Sequence, residues 1–426
     1  MQDLYQHQRI IIEENKERSG LFLGTGGGKT RLALELAEGS TLIVVPKQQA
    51  LDGTWEDNAE KFGIILNMTV ISKETFRRDW QLLPRYDTLI IDEGHNHLGV
   101  TPDTRSVKGS PVPRTSQIFE ATLGYLRKHQ PKRFYICTAT PASKPMNVWA
   151  LGVLFGRWSE ESFFNFRDKY YLQRKMGWRS IWIPRNTTEL KDKLAELVRS
   201  MGYTGRLQDW FDVPDQLHTT HYVRLTKAQK DMIEEIEASE ADPMSRRTKL
   251  RTIENGCMYE LDVVSTGEKT EALKRTSLYF ENEKIPYILE RAEEFPKILI
   301  FANYIAQIEA IEMALANAGH NVVKLIGATK DRDTLIKKAD ASDACIVVAQ
   351  CGISEGYELP TFPCVIFASK SFRYLHYDQA QGRVLRANAL KKNLFIHLVV
   401  RKGVDEECHK TILSGKDFQE KIYAKN

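Results

Sequence analysis

The sequence predicts an α/β fold built on two parallel sheets, and three observations lead there. Short apolar runs alternate with helical segments through the first third of the chain. A second alternation of the same kind begins after Pro296, and the polar groups best suited to chemistry stand directly after apolar runs, where parallel sheets bind ligands. The chain has 426 residues, enough for two or three domains, and its 42% hydrophobic and 27% charged content is ordinary for globular proteins.

The first alternation consists of "LFL" (21–23), "TLIVVP" (41–46), "MTVIS" (68–72), "TLIIDE" (88–93) and "RFYICTAT" (133–140), separated by segments long enough for crossovers. After "LFL" come glycines at 24, 26, 27 and 28, then Lys29 and Thr30, then a helical run with Leu32, Ala33, Leu34, Leu36 and Ala37. Glycines permit a turn whose N–H groups converge on one point, and the dipole of the following helix also favours an anion there. Lys29 is placed to reach the β and γ phosphates of a nucleotide, and Thr30 to bind Mg²⁺. Asp92 and Glu93 directly follow a buried strand, an awkward position for mere surface charge; Asp92 suits Mg²⁺ and Glu93 suits the polarising of an attacking water.

From Pro145 the composition turns aromatic and arginine-rich, and the reading becomes a helical extension. Trp158, Phe163, Phe164, Phe166, Tyr170 and Tyr171 suit a helical core better than a base-stacking platform. Asn186, with Glu189 three residues on, is placed to cap a helix carrying Leu190, Leu194, Leu197 and Val198. Residues 214–254 read as a connector of one polar strand and charged helices, and "GCMYELDVVSTGEKTEAL" as a hairpin turning at Ser265 to Gly267.

The second alternation holds "KILIFAN", "NVVKLIG", "ACIVVAQ", "CVIFAS" and "LFIHLVV". Before the last of these stands "DQAQGRVLRAN", in which Gln379, Gly382, Arg383 and Arg386 form QxxGRxxR. Helical spacing would put both arginines near one face, and a planar five-donor fork suits a phosphate gaining charge.

Other features bound the function. Six cysteines occur without a CxxC pair or a histidine cluster at zinc spacing, so neither a disulfide framework nor a zinc site is indicated. No apolar run is long enough to cross a bilayer, and "MQDLYQHQ" is not a secretory leader. A net charge of +4 permits nucleic-acid binding without demanding it.

The chain resembles superfamily 2 nucleic-acid motors, above all their Swi/Snf-like branch. "LYQHQR" resembles the entry motif whose glutamine, Gln8 here, reads adenine. "LGTGGGKT", with Gly24, Thr25, Gly26, Gly27, Gly28, Lys29 and Thr30, resembles Walker A; "LIVVPK" followed by Trp55 resembles a motif that contacts the DNA backbone. "DEGH" resembles the DEAH box, "TATP" the coupling motif, and "MGYTGRLQDWFDVPDQLHTTHYVRLTKAQKDMIEEI" the branch-specific passage between lobes. "KILIFANY", "QCGISEGYEL" and "QAQGRVLR" resemble second-lobe motifs. Leu23 stands at the usual first glycine of Walker A, Gly94 at the usual alanine, and "GISEGYEL" departs from a glycine-rich pattern while keeping Glu355 and Gly356.

The resemblance implies two RecA-like lobes: lobe 1 at 1–144, its helical extension at 145–213, linker helices and a hairpin at 214–280, and lobe 2 at 281–426. It implies ATP and Mg²⁺ as ligands and a catalytic set of Lys29, Asp92, Glu93, Gln379, Arg383 and Arg386. Lys47, Glu355 and Gly356 would touch the polynucleotide, DNA rather than RNA. The absence of appended modules implies a minimal monomeric motor of the kind found in bacteriophages and bacteria, working in the cytoplasm of a bacterial or phage-infected cell. A strand-separating or branch-migrating helicase and an ATP-gated clamp that does not step are the rival readings.

Overall fold

The computed structural model describes residues 3–423, apart from 177–178, 241, 266–270, 354–356 and 386–390. The inner strands of its sheets are largely runs of Leu, Ile and Val without polar alternation, and such strands bury both faces and so favour a parallel sheet covered by helices on each side. Two six-stranded sheets result, and every pairing in both is parallel. The arrangement is that of two RecA-like α/β domains.

In the first sheet the order is Gly202–Gly205, Arg18–Leu23, Arg133–Cys137, Thr88–Ile91, Ser40–Val45, Asn67–Ser72. Alternate residues serve opposite cores: Phe22, Leu42, Val44, Leu89, Ile91 and Ile136 on one side, Leu21, Leu23, Ile43, Val45, Ile90 and Cys137 on the other. The second sheet runs Leu217–Val223, Leu394–Val400, Cys364–Phe367, Lys297–Ala302, Cys345–Gln350, Val322–Leu325. It separates a core containing Leu299, Phe301, Val347 and Phe395 from one containing Ile298, Ile300, Val348 and Leu398.

The chain divides into one unit of Met1–Phe211 with Gly415–Asn426 and another of Asp212–Ser414. Residues 145–213 are more than a helical extension. Gly202–Gly205 adds an edge strand beside Arg18–Leu23, and Tyr171–Met176 pairs with Arg179–Pro184 as an antiparallel hairpin. Phe163, Tyr170 and Tyr171 are buried in the first unit's core with Trp158, Phe164 and Phe166 packed against it, so this cluster is structural. The helix Thr188–Ser200 is capped by Thr187, whose hydroxyl accepts from Leu190 N at 3.4 Å, and not by Asn186. Leu217–Val223, read as part of a connector, is a strand of the second sheet.

Residues 257–279 form the expected hairpin, Cys257–Ser265 against Glu271–Tyr279; of its turn, only Ser265 falls among the described residues. The last helix, Val404–Tyr423, ends within the first unit because Phe418 and Ile422, one helical turn apart, enter that unit's core. There Gln419 Nε2 donates to Ala142 O and Tyr423 Oη to Ala139 O. All six cysteines are free and buried. Among the described residues no helix is long and apolar enough to cross a membrane.

Candidate functional site

The glycine loop leaves the buried strand Arg18–Leu23 and enters the helix Lys29–Glu35. Gly26 (φ 82°) and Gly28 (φ 76°) hold left-handed backbone that L side chains avoid. A Cβ on Gly28 would also lie 2.2 Å from Gln8 Nε2, and one on Gly27 2.9 Å from Leu23 Cβ. The glycines therefore answer to close packing as well as to dihedral angles. Leu23, the departure from the usual pattern, is a fully buried strand residue of the core. Lys29 Nζ donates to Leu23 O at 2.9 Å and Gly24 O at 3.3 Å, which holds the ammonium against the loop's own first residues.

Gln8 lies on the helix Gln6–Glu14, buried, with Oε1 accepting from Tyr5 N at 3.0 Å. Sequence reasoning missed its neighbours. His7 stacks on Trp210 at 3.9 Å between ring centroids, and its Nε2–H donates to Gly27 O at 3.2 Å. Burial lowers the His7 pKa and so favours the neutral imidazole, while the hydrogen bond to Gly27 O pulls the other way. Trp210 walls the loop, since a Cβ on Gly27 would meet its ring at 3.0 Å. The two residues lie 203 positions apart in the chain (7 and 210), a separation at which periodicity carries no signal.

The acids follow the buried strand Thr88–Ile91. Asp92 N donates to Val44 O at 2.9 Å, and Asp92 Oδ1 accepts from Glu93 N at 2.9 Å. Burial, and next the charge of Glu93, push the Asp92 carboxyl up to about 7, while Lys29 and a hydrogen bond from Gln49 pull the other way. Gln49 is a second residue missed by sequence reasoning; its Oε1 accepts from the indole of buried Trp55 at 3.3 Å, so it ties that tryptophan to the acid.

Glu93 itself sits in left-handed backbone (φ 46°, ψ 48°), a conformation that costs a non-glycine residue about 1–3 kcal/mol and concentrates at functional sites. His95 Nδ1 lies 3.2 Å from Glu93 Oε2 and 3.3 Å from Thr138 Oγ1, and Thr138 Oγ1 accepts from Thr140 N at 3.1 Å. "DEGH" and "TATP" are thus physically joined through His95.

Gly94 has its own reason: a Cβ there would lie 2.2 Å from Ile136 Cγ2. Gly94→Ala is expected to destabilise by about 1–3 kcal/mol as an overpacked core site. Urea unfolding checks this, and an unchanged midpoint would contradict the tight packing.

The Thr30 hydroxyl and the Asp92 carboxylate are oxygen donors of the kind that Mg²⁺ takes together with phosphate oxygens. Among the described residues there is no cluster of three or more His, Cys, Asp or Glu able to hold a metal by itself. Lys47 is exposed at the start of the helix Lys47–Asp52, directly after the strand Ser40–Val45 and Pro46.

In the second unit, Gln379 lies buried on the helix Tyr374–Gln381. That helix ends before Arg383, with Gly382 at its C-cap, so the shared helical face expected of the two arginines does not extend to Arg383. Its buried guanidinium donates from Nε to Gln379 O at 2.9 Å and from Nη1 to Tyr357 O at 2.6 Å. Arg386, Glu355 and Gly356 lie outside the described residues.

No curated protein matches this chain. Residues 281–388 match the family model of the helicase conserved C-terminal domain, and the second unit thereby supports a helicase-type member of superfamilies 1 and 2, a nucleic-acid motor in the broad sense.

Proposed function

We propose that this chain is a nucleic-acid-dependent ATPase of the Swi/Snf-like branch, coupling hydrolysis to translocation along double-stranded DNA. The observation that carries this reading is the joint presence of two features in one chain. One is a glycine loop with Lys29 beside the half-buried Asp92–Glu93 pair; the other is a helicase-type C-terminal domain. In this reading Thr25, Gly26 and Gly28 present backbone N–H groups to the phosphates, the N–H groups of Gly24 and Gly27 instead shaping the loop by donating to Gly205 O and Gly24 O, and Gln8 borders the base. Lys29 carries positive charge to the β and γ phosphates. Thr30 and Asp92 would hold Mg²⁺, which supplies neutralisation of phosphate charge. Glu93 accepts the proton of the attacking water, with His95 fixing its carboxylate. Gln379, Arg383 and Arg386 remain the arginine-motif residues. Lys47, Glu355 and Gly356 remain the backbone contacts of this proposal.

ATP hydrolysis measured side by side with duplex, single-stranded and forked DNA and with RNA tests it. Duplex DNA is expected to stimulate most, with stimulation falling steeply as salt rises, because phosphate contacts release counterions. In a triplex-displacement assay the protein with ATP should strip the third strand. Stronger activation by RNA would replace the branch assignment, and hydrolysis on duplex without displacement would identify a clamp.

A further inference from the structure

The hairpin of Tyr171–Met176 and Arg179–Pro184 takes no part in the nucleotide site, and its surface is unusual. Between Tyr171 and Arg185 the sequence holds Arg174, Lys175, Arg179 and Arg185 and no acidic residue. Its base is anchored: Tyr171 is buried, Arg185 Nε donates to Tyr171 O at 3.2 Å, and the Arg167 guanidinium lies 4.0 Å from the centre of the Trp182 ring. Trp182 faces the same side as its partner Gln173.

The opposite side carries Leu172 across from Ile183 and Arg174 across from Ile181. These three aliphatic side chains are 51%, 38% and 38% exposed for Leu172, Ile181 and Ile183, and exposed Arg174 stands among them, while exposed Lys175, across from Ser180, is on the Trp182 side next to the turn. The first unit's other hairpin, Val100–Val107 with Ser110–Thr115, lacks this character. It contains Asp103, and its Arg105 pairs with Glu120 at 2.5 Å.

We propose that this hairpin is a docking surface for duplex DNA, Leu172, Ile181 and Ile183 lying against the groove while Arg174 on the same face and Lys175 from the ribbon's other face, next to the turn, meet phosphates; the proposal rests on the motor reading above. Charge selects the occupant. An acid-free basic ribbon complements a polyanion, whereas three aliphatic side chains fall far short of the roughly 800 Å² per partner that a stable protein interface buries. Shape agrees: a two-stranded ribbon fits a DNA groove, and Leu or Ile accompanied by Arg is the composition that wedges into a minor groove. Six residues per strand extend about 20 Å, long enough to lie along such a groove.

The test uses the full chain without nucleotide and a labelled duplex of mixed sequence, with binding followed by anisotropy over a salt series. Arg174→Gln with Lys175→Gln should flatten the slope of log affinity against log salt by about 1.8, two phosphates at ~0.9 each, and weaken binding about tenfold or more near 0.1 M salt. Arg174→Lys should keep the slope. Leu172→Ser with Ile181→Ser should weaken binding severalfold at unchanged slope. Affinity for a fluorescent ATP analogue should stay the same in every variant, which separates the hairpin from the nucleotide site. Unchanged slope and affinity in both double variants, with the parent protein bound, would overturn the hairpin proposal alone. Failure of the parent protein to bind duplex at low salt would overturn it together with the motor reading. If the serine variant abolishes self-association in sedimentation and leaves DNA binding intact, the face joins copies of the chain and the proposal is wrong.

Discussion

Glu93→Gln is expected to bind ATP about as well as the parent protein and to hydrolyse it about 10²–10⁴ times more slowly, the range lost with a general base. The substitution keeps the shape of the side chain and can still meet His95 Nδ1, 3.2 Å from Glu93 Oε2, so the left-handed turn and the join to Thr138 should persist. What disappears is the carboxylate that takes the proton of water in the proposed reaction. Neighbouring Asp92 cannot substitute for it, since its Oδ1 already accepts from Glu93 N and Gln49 donates to its carboxylate. Single-turnover hydrolysis alongside equilibrium binding of a fluorescent nucleotide separates the two steps. Undiminished turnover would remove Glu93 from the chemistry.

Lys284→Met is expected to cost the second unit about 3–5 kcal/mol, the usual penalty for breaking a buried pair from one side. Lys284 and Asp405 are each 1% exposed and meet at 3.0 Å. The same ammonium donates to Asn255 Oδ1 at 2.6 Å and Ala368 O at 2.7 Å, which ties the end of the helix Pro243–Glu254 to the sheet and to the last helix. Without it, Asp405 is left with Val400 N as its hydrogen-bond donor and with the charge of Lys370, itself buried and pushed down to about 8 by that burial. Glu254, against the N–H groups of Val404 and Asp405 and raised to about 7 by burial, adds a further acid to the same pocket of the fold. A unit of this size loses about 2–3 kcal/mol per molar urea, so the midpoint should fall by about 1–2 M. Far-UV circular dichroism should record it; tryptophan emission reports the first unit, because all seven tryptophans precede Asp212. An unchanged midpoint would mean that the pair contributes nothing net.

What was legible in the sequence was local. Apolar runs such as "TLIVVP" and "LFIHLVV" identify themselves as buried parallel strands, and the groups on which the proposed chemistry rests, Lys29 with its glycines and Asp92 with Glu93, stand within a few residues of one another. The polar strand read at Leu217–Val223 was assigned to a connector because six of its seven residues are exposed; its place in the second sheet is settled by pairing with Leu394–Val400, far along the chain. The hairpin at 171–184 hid beneath aromatic composition. Gly94 is explained only by Ile136, Gly27 in part by Trp210, and Asp92 in part by Gln49, and each of these is a contact that folding creates. The cap of Thr188–Ser200 differed by one residue because Asn186 and Thr187 are both good caps, and the choice is made by which oxygen reaches Leu190 N. Arg383 left the helical face assigned to it because the helix stops at Gly382.

The burial of all six cysteines has a practical consequence for bioconjugation. Desolvation pushes Cys257, Cys351 and Cys364 up to about 12 and Cys408 up to about 11, and it raises Cys137 and Cys345 as well, so the reactive thiolate is scarce at neutral pH and sheltered from reagents. A maleimide dye therefore meets no native competitor while the chain is folded. One cysteine installed at exposed Ser180, beside the basic hairpin's turn, would take a single fluorophore in the otherwise natural sequence, and under the docking proposal the dye's brightness would follow the arrival and departure of DNA one molecule at a time.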